Sequence, residues 1–227
     1  MTIPVKLLAF ETSSQQGSVA LQVDGNITEE FMQSPKQQTA DLLPLAKKLL
    51  NAGNLELTDL DGITFGRGPG SFTGLRIAAA VAQGLSLASE IPLFPVSSLA
   101  TIAQGIWRSH RVTNTLVCVD AYMGEVFWGQ FCIQDGLVYA ASKECLSTPE
   151  TVTSKGLESW SVVGNGFICY ETVLGALIEN AKSTHVGAYP CARDLFPQAM
   201  VDLAEGLGQR PEVATPVYLR SEKAWKR

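Results

Sequence analysis

The chain has little of what metal and nucleophile chemistry needs. Only two histidines, His110 and His185, occur in 227 residues, and they stand far apart. Neither has another histidine at ligand spacing, so the sequence predicts no histidine-based metal site. The five cysteines, Cys118, Cys132, Cys145, Cys169 and Cys191, are odd in number and never spaced Cys-x-x-Cys. That argues against zinc modules and disulfide frameworks and predicts reduced, mostly buried thiols in a cytoplasmic protein. Gly-x-Ser-x-Gly is absent, which removes the nucleophile elbow. A net charge of -5 without a long basic run excludes a free-standing nucleic-acid binder, though not a subunit beside a basic partner. No apolar run reaches membrane-spanning length, and Met1-Thr2-Ile3-Pro4-Val5-Lys6 lacks a signal peptide's basic start and apolar core. What remains, 46% hydrophobic and 17% charged residues, is the composition of a globular chain of one or two domains.

The most informative stretch present is Phe65-Gly66-Arg67-Gly68-Pro69-Gly70-Ser71-Phe72-Thr73-Gly74-Leu75-Arg76. It follows an apolar strand pattern, Leu60 to Phe65, and precedes an alanine-rich helix pattern, Ile77 to Ala88. Ser71 is placed to cap that helix. The loop is not a P-loop, because no lysine lies between Lys48 and Lys143. It is not the dinucleotide fingerprint either: three residues, not two, separate Gly70 from Gly74. Glycine spacing leaves two readings open. The glycines let helix and strand pack closely, or they bring backbone N–H groups to a phosphate or another chain.

The two halves of the sequence read alike. Val5 to Phe10 is an apolar strand ending at Glu11, and Ser18 to Val23 alternates up to Asp24-Gly25, a hairpin signal. A return strand, a leucine-rich helix opening between Ser34 and Thr39, the Leu60 strand, the glycine-loop helix, a short strand at Pro92 to Val96 and a helix from Ser97 or Ser98 follow. In the second half Thr115 to Val119 ends at Asp120, and Val126 to Ile133 runs to Asp135-Gly136. Leu137 to Cys145 returns, with a weak helix near Pro149, a strand at Trp160 to Val163, the turn Gly164-Asn165-Gly166 before a helix, a strand near His185, and a helix from Asp194 to Leu207. The order β-β-β-α-β-α-β-α occurs twice, which predicts a duplicated, two-lobed α/β fold with lobes 1–108 and 109–227. The arrangement resembles the actin/hexokinase/heat-shock ATPase superfamily.

Five motifs then point to one family. They are Phe10-Glu11-Thr12-Ser13, Gly66 through Arg76, Gln83-Gly84-Leu85, Asp120-Ala121-Tyr122-Met123-Gly124-Glu125-Val126, and Pro216-Val217-Tyr218-Leu219-Arg220. Together they resemble the TsaB family, bacterial proteins needed for N6-threonylcarbamoyladenosine in tRNA. The resemblance implies a non-catalytic subunit that pairs with the related transferase TsaD, helps recruit the ATPase TsaE and meets tRNA only through the complex; an apolar face of Leu42, Leu45, Leu49, Ala78 and Ala82 predicts that the chain self-pairs when alone. It implies no required cofactor, with ATP or ADP at most at the heterodimer junction. TsaD-like proteins hold a metal through His-x-x-x-His on the first helix. The corresponding residues here, Lys36-Gln37-Gln38-Thr39-Ala40, offer no histidine, and Glu11 stands where the family often has aspartate.

The resemblance and the residues together give the site expectations. Glu11, Thr12, Ser13, Arg67, Gly68, Gly70, Ser71 and Asp120 are the candidates for touching a nucleotide or phosphate; no residue is expected to be catalytic and none to bind metal. For Glu11 and Asp120 the competing role, capping their own loops, is favoured. Arg67 and Arg76 are the best anion ligands beside the loop, against surface ion pairing. Tyr122, Phe127 and Trp128 invite base stacking, but alternation sends Phe127 and Trp128 to opposite faces, as ordinary packing would. Lys223, Lys226 and Arg227 read as a solvated end. Leu42, Leu45, Leu49, Gly74, Leu75, Ala78, Ala79 and Ala82 are expected to form an outward helical face for the partner, because small residues at i, i+4 and i+8 allow close helix approach. The rival readings are an independent kinase or ATPase of the same superfamily, and a peptidase, which has no nucleophile–base pair behind it.

Overall fold

The computed structural model describes residues 5–34 and 38–220. The helix-opening residues Lys36 and Gln37, the side chain of Gln38, and the tail cations Lys223, Lys226 and Arg227 lie outside the described residues. The chain forms two compact units, residues 1–98 with 190–216, and residues 99–189 with 217–227.

The first unit holds a five-stranded sheet in the order β3-β2-β1-β4-β5. Its strands are β1 (Lys6–Glu11), β2 (Ser18–Val23), β3 (Asn26–Phe31), β4 (Gly62–Gly68) and β5 (Leu93–Ser97). β1 pairs antiparallel with β2 and parallel with β4, so it is central and buried on both faces. Successive side chains go to opposite faces. Leu8 and Phe10 meet Val19, Ile63 and Phe65 under helices α1 (Gln38–Ala52) and α2 (Phe72–Ser89). Leu7 and Ala9 meet Phe94, Val96, Leu195, Phe196 and Ala199. Burying a phenylalanine such as Phe196 contributes about 1.5–3 kcal/mol. Pro44 sits inside α1 on its exposed side.

The second unit repeats the pattern. Its main strands are β6 (Asn114–Asp120), β7 (Val126–Gln134), β8 (Leu137–Ala140), β10 (Ser161–Val163) and β11 (Thr184–His185), with β9 (Cys145–Ser147) also on β7. Their order, β11-β10-β6-β7-β8, matches that of the first sheet, as a duplication requires. The duplicated α/β class of the actin/hexokinase type is therefore the fold. The expected single return strand is split into β8 and β9, and the weak helix near Pro149 is one 3-10 turn, Pro149–Thr151. Phe127 and Trp128 do lie on opposite faces of β7, in separate cores.

The boundary at 108/109 needs correction. Helix α3 (Ser98–His110) sends Leu99, Ile102, Ala103 and Ile106 into the second unit's core beside Val117 and Phe131. Helix α6 (Phe196–Ala204) belongs to the first unit, where the Ala192 N–H donates to Ser18 Oγ at 2.8 Å. Each repeat's last helix thus packs away from the sheet that precedes it in sequence. The second unit's remaining helices, α4 (Gly166–Cys169) and α5 (Glu171–Glu179), lie between β10 and β11.

Candidate functional site: a filled glycine loop and an outward helical face

Glu11 ends β1 and is fully buried. The Ser13 N–H donates to its Oε1 at 2.6 Å, and the Ser98 hydroxyl donates to its Oε2 at 3.3 Å. The same Ser98 oxygen accepts from the Gly68 N–H at 3.2 Å. Burial pushes the Glu11 carboxyl above its usual range, against the opposing pull of the hydrogen bonds from Ser13 and Ser98. Two more of the loop's donors are engaged. Ser71 N–H donates to Ser13 O at 2.7 Å, and Ser71 Oγ caps α2 by accepting from Gly74 N–H at 3.3 Å.

The glycines account for how tightly this closes. A Cβ on Gly66 would overlap the Glu11 carboxylate, and one on Gly74 would overlap the Thr12 carbonyl oxygen. One on Gly70 would sit 2.5 Å from the Ser13 carbonyl oxygen. So Glu11, Thr12 and Ser13 each lie against a glycine of the loop, and Thr12 Oγ1 adds a 2.7 Å hydrogen bond to the Gly74 carbonyl. Gly68 holds φ of 100°, a left-handed value that favours glycine. A phosphate needs free N–H donors and room. Here Ser98 Oγ, Ser13 O and Ser71 Oγ take the N–H groups of Gly68, Ser71 and Gly74, and the Glu11 carboxylate fills the room beside Gly66, so the residues do not fit a nucleotide phosphate at this loop. Of the two openings left by glycine spacing, close packing is the one the atoms realise.

Arg67 is half-buried, and its Nε is buried without a hydrogen-bond partner among the described residues. Arg76 stacks its guanidinium 3.7 Å from the Phe72 ring one turn away. Asp120 lies in the second unit and likewise serves its own turn. It accepts from Tyr122 N–H at 2.9 Å and Tyr170 OH at 3.0 Å, while its own N–H donates to Asn165 Oδ1 at 3.1 Å. After it, Tyr122 and Met123 both take left-handed φ, 59° and 58°, and are exposed. Arg220 holds that turn, a role unassigned by the sequence reading. Its guanidinium donates to the carbonyls of Ala121 at 3.1 Å and Tyr122 at 3.3 Å and pairs with Glu125 at 2.6 Å.

The expected outward face is overturned by burial. Leu42, Leu49, Gly74, Leu75, Ala78, Ala79 and Ala82 are buried in their own unit, and Leu45 packs half-buried against the same core. The small stripe does permit close approach, but to the chain's own sheet. The outward face of α2 is rotated from it: Ile77 and Val81 are half-buried, and Ala80, Gly84 and Leu87 are exposed, Leu87 by 70%. On α1, Leu43 is exposed by 50%. Between the helices runs a groove of about 390 Å³ lined by Thr39, Phe72, Thr73, Arg76, Ile77, Ala80 and Val81. The i, i+3, i+4, i+7 spacing of Ile77, Ala80, Val81 and Gly84 was the signal that could have found it.

Comparison with known proteins agrees with these motifs. The TsaB protein of Escherichia coli K12, described as a tRNA threonylcarbamoyladenosine biosynthesis protein, is 36% identical over 98% of both chains. The chain belongs to the TsaB family. A second member, from Haemophilus influenzae, is 30% identical over 97% of this chain and 96% of its own. A model described as "TsaD: tRNA N6-adenosine threonylcarbamoyltransferase" matches residues 32–226, so the TsaB-type chain and the transferase share ancestry. The solved structure of YeaZ from Pseudomonas aeruginosa superposes with a TM-score of 0.88 at 34% identity, covering 95% of this chain and 100% of that one. Among the described residues, no helix is long and apolar enough to cross a membrane, and no group of three or more His, Cys, Asp or Glu is placed to share a metal.

Proposed function

We propose that this chain is the non-catalytic partner subunit of a TsaD-type transferase in the biosynthesis of threonylcarbamoyladenosine in tRNA. It docks through the outer face of α1 and α2, self-pairs through that face when alone, and helps the pair recruit a TsaE-type ATPase. The observation that carries the reading is the exposed apolar face of Leu43, Ala80 and Leu87 beside the groove, in a unit whose glycine loop is filled by its own carboxylate. Apolar surface of this extent is costly in water and marks association. A TsaD-type partner, related to this chain, brings equivalent helices, so the two can meet in a nearly two-fold arrangement. The relatives' printed names support the pathway, and the lack of a histidine pair at Lys36 to Ala40 supports assigning the transfer chemistry to the partner.

The test is Ala80→Arg, at an exposed position on the groove. A charge and a long side chain there block close helix approach without touching the core. The variant is expected to melt like the parent, to sediment as a monomer, and to lose co-elution with a TsaD-type subunit. It should also lose stimulation of tRNA modification in the reconstituted system. Unaltered pairing would place the interface elsewhere. Turnover of ATP or threonylcarbamoyl-adenylate by the isolated chain, lost on Asp120→Ala, would overturn the non-catalytic reading.

A further inference from the structure

The chain's only two histidines, far apart in sequence, are brought together in the second unit. His110 closes α3 and is exposed; His185 lies in the edge strand β11 and is half-buried. Their ring centroids are 4.4 Å apart, with the planes tilted by 56°. Each ring has one nitrogen committed to a serine. His110 Nδ1 shares a 2.7 Å hydrogen bond with Ser109 Oγ, and His185 Nε2 shares one of 2.9 Å with Ser183 Oγ. Ser183 is itself anchored, 2.8 Å from the oxygen of buried Ser161. The opposite nitrogens, His110 Nε2 and His185 Nδ1, are left with lone pairs available once the serine-bonded nitrogens carry the protons.

We propose that His110 and His185 form a two-imidazole site for a divalent transition-metal ion such as Ni²⁺ or Zn²⁺. Neutral imidazole is the preferred ligand of these ions, and a hydrogen bond to the far nitrogen fixes which nitrogen is offered. With metal–nitrogen distances of about 2.0–2.1 Å, a tetrahedral ion holds two ring centroids about 5 Å apart. The present centroid separation of 4.4 Å is within about 1 Å of that. The other coordination positions go to water, since no cluster of three or more ligating side chains forms among the described residues. The ion would pin the end of α3 to the sheet edge.

The experiment uses the full chain, NiCl₂ as the probe, and calorimetry with a thermal melt as paired readouts. Ni²⁺ is chosen because it suits imidazole, whereas the five cysteines compete for softer ions. The expected result is one Ni²⁺ per chain and a higher melting temperature. Affinity should fall by about two orders of magnitude in His110→Ala, and about tenfold in Ser183→Ala, which leaves both ligands but loosens one. His110 is exposed, so its variant keeps the fold, and it decides the matter if His185→Ala does not fold. Unchanged Ni²⁺ binding in His110→Ala would overturn the site. So would one ion per two chains, which would make the ion a bridge between copies, or no binding to the parent.

Discussion

Gly74 and Gly84 lie on the same helix, ten residues apart in number, and the same substitution should move stability in opposite directions. Replacing glycine by alanine in a helix removes backbone entropy from the unfolded chain and favours folding by up to about 1 kcal/mol. At Gly84 nothing lies within 4 Å of the new Cβ, so that gain stands alone. Gly84→Ala should raise the melting temperature by about 2–4 °C for a chain of this size. At Gly74 the new methyl overlaps the Thr12 carbonyl oxygen and sits 2.9 Å from its carbon. Backbone cannot swing aside as a side chain can. The first turn of α2 must lift from the end of β1, breaking the buried 2.7 Å bond from Thr12 Oγ1 to the Gly74 carbonyl. Overpacking of this kind costs about 1–3 kcal/mol and the lost buried hydrogen bond about 1–3 kcal/mol. Set against the helix gain, the net loss is about 3 kcal/mol, or roughly 6–12 °C in melting temperature. Calorimetry of both variants under one buffer decides it. If Gly74→Ala melts at or above the parent, the loop is not held against Glu11, Thr12 and Ser13 as described.

Two further perturbations test the same network and its counterpart. Glu11 has a folded-state pKa raised above its unfolded value, so the folded chain binds that proton more tightly, and stability is lost as pH rises from about 4.5 through the folded pKa. Glu11→Gln should therefore match the parent near pH 4 and exceed it in melting temperature at pH 8; a constant difference across that range would show that Glu11 is not desolvated. Arg220→Met removes the donors to Ala121 and Tyr122 and the partner of Glu125, with an expected cost of about 2 kcal/mol, moderated because Glu125 is partly open to water. Arg220→Lys should recover only part of that loss, and a melt of Arg220→Met identical to the parent would show that the left-handed turn holds without it.

What could be read from the sequence, and what could not, divides by the range of the interaction. β1, β2, β6 and β7 were legible because alternation and Asp-Gly turns act between near neighbours, and Ser71 was legible as a cap because its acceptor serves Gly74 three residues on. The destination of a helix is not written in its own periodicity. An apolar stripe on α3 says that it needs a sheet, not that the sheet begins with β6 rather than β5. The stripe of Gly74, Ala78 and Ala82 shows the same gap more sharply. Small residues report that something approaches closely, and a helix presents two candidates, its own sheet and a partner. Core packing takes the small stripe first, because there the gain from close contact is made within the fold and needs no second chain. The flank of Ile77, Ala80, Val81 and Leu87 is covered by the core only in part, and it is the surface through which the proposed partner would dock. The meeting of His110 with His185 depends on where α3 ends against β11, a placement that only the folded chain provides. The glycine loop completes the argument. Its four-residue spacing of Gly66, Gly70 and Gly74 looks like a ligand cradle, yet each glycine is matched by one residue of the segment Glu11 to Ser13. Once that cradle is filled from within, what this unit can still offer a second chain lies on its outer surface, and the proposed partner role starts from that surface.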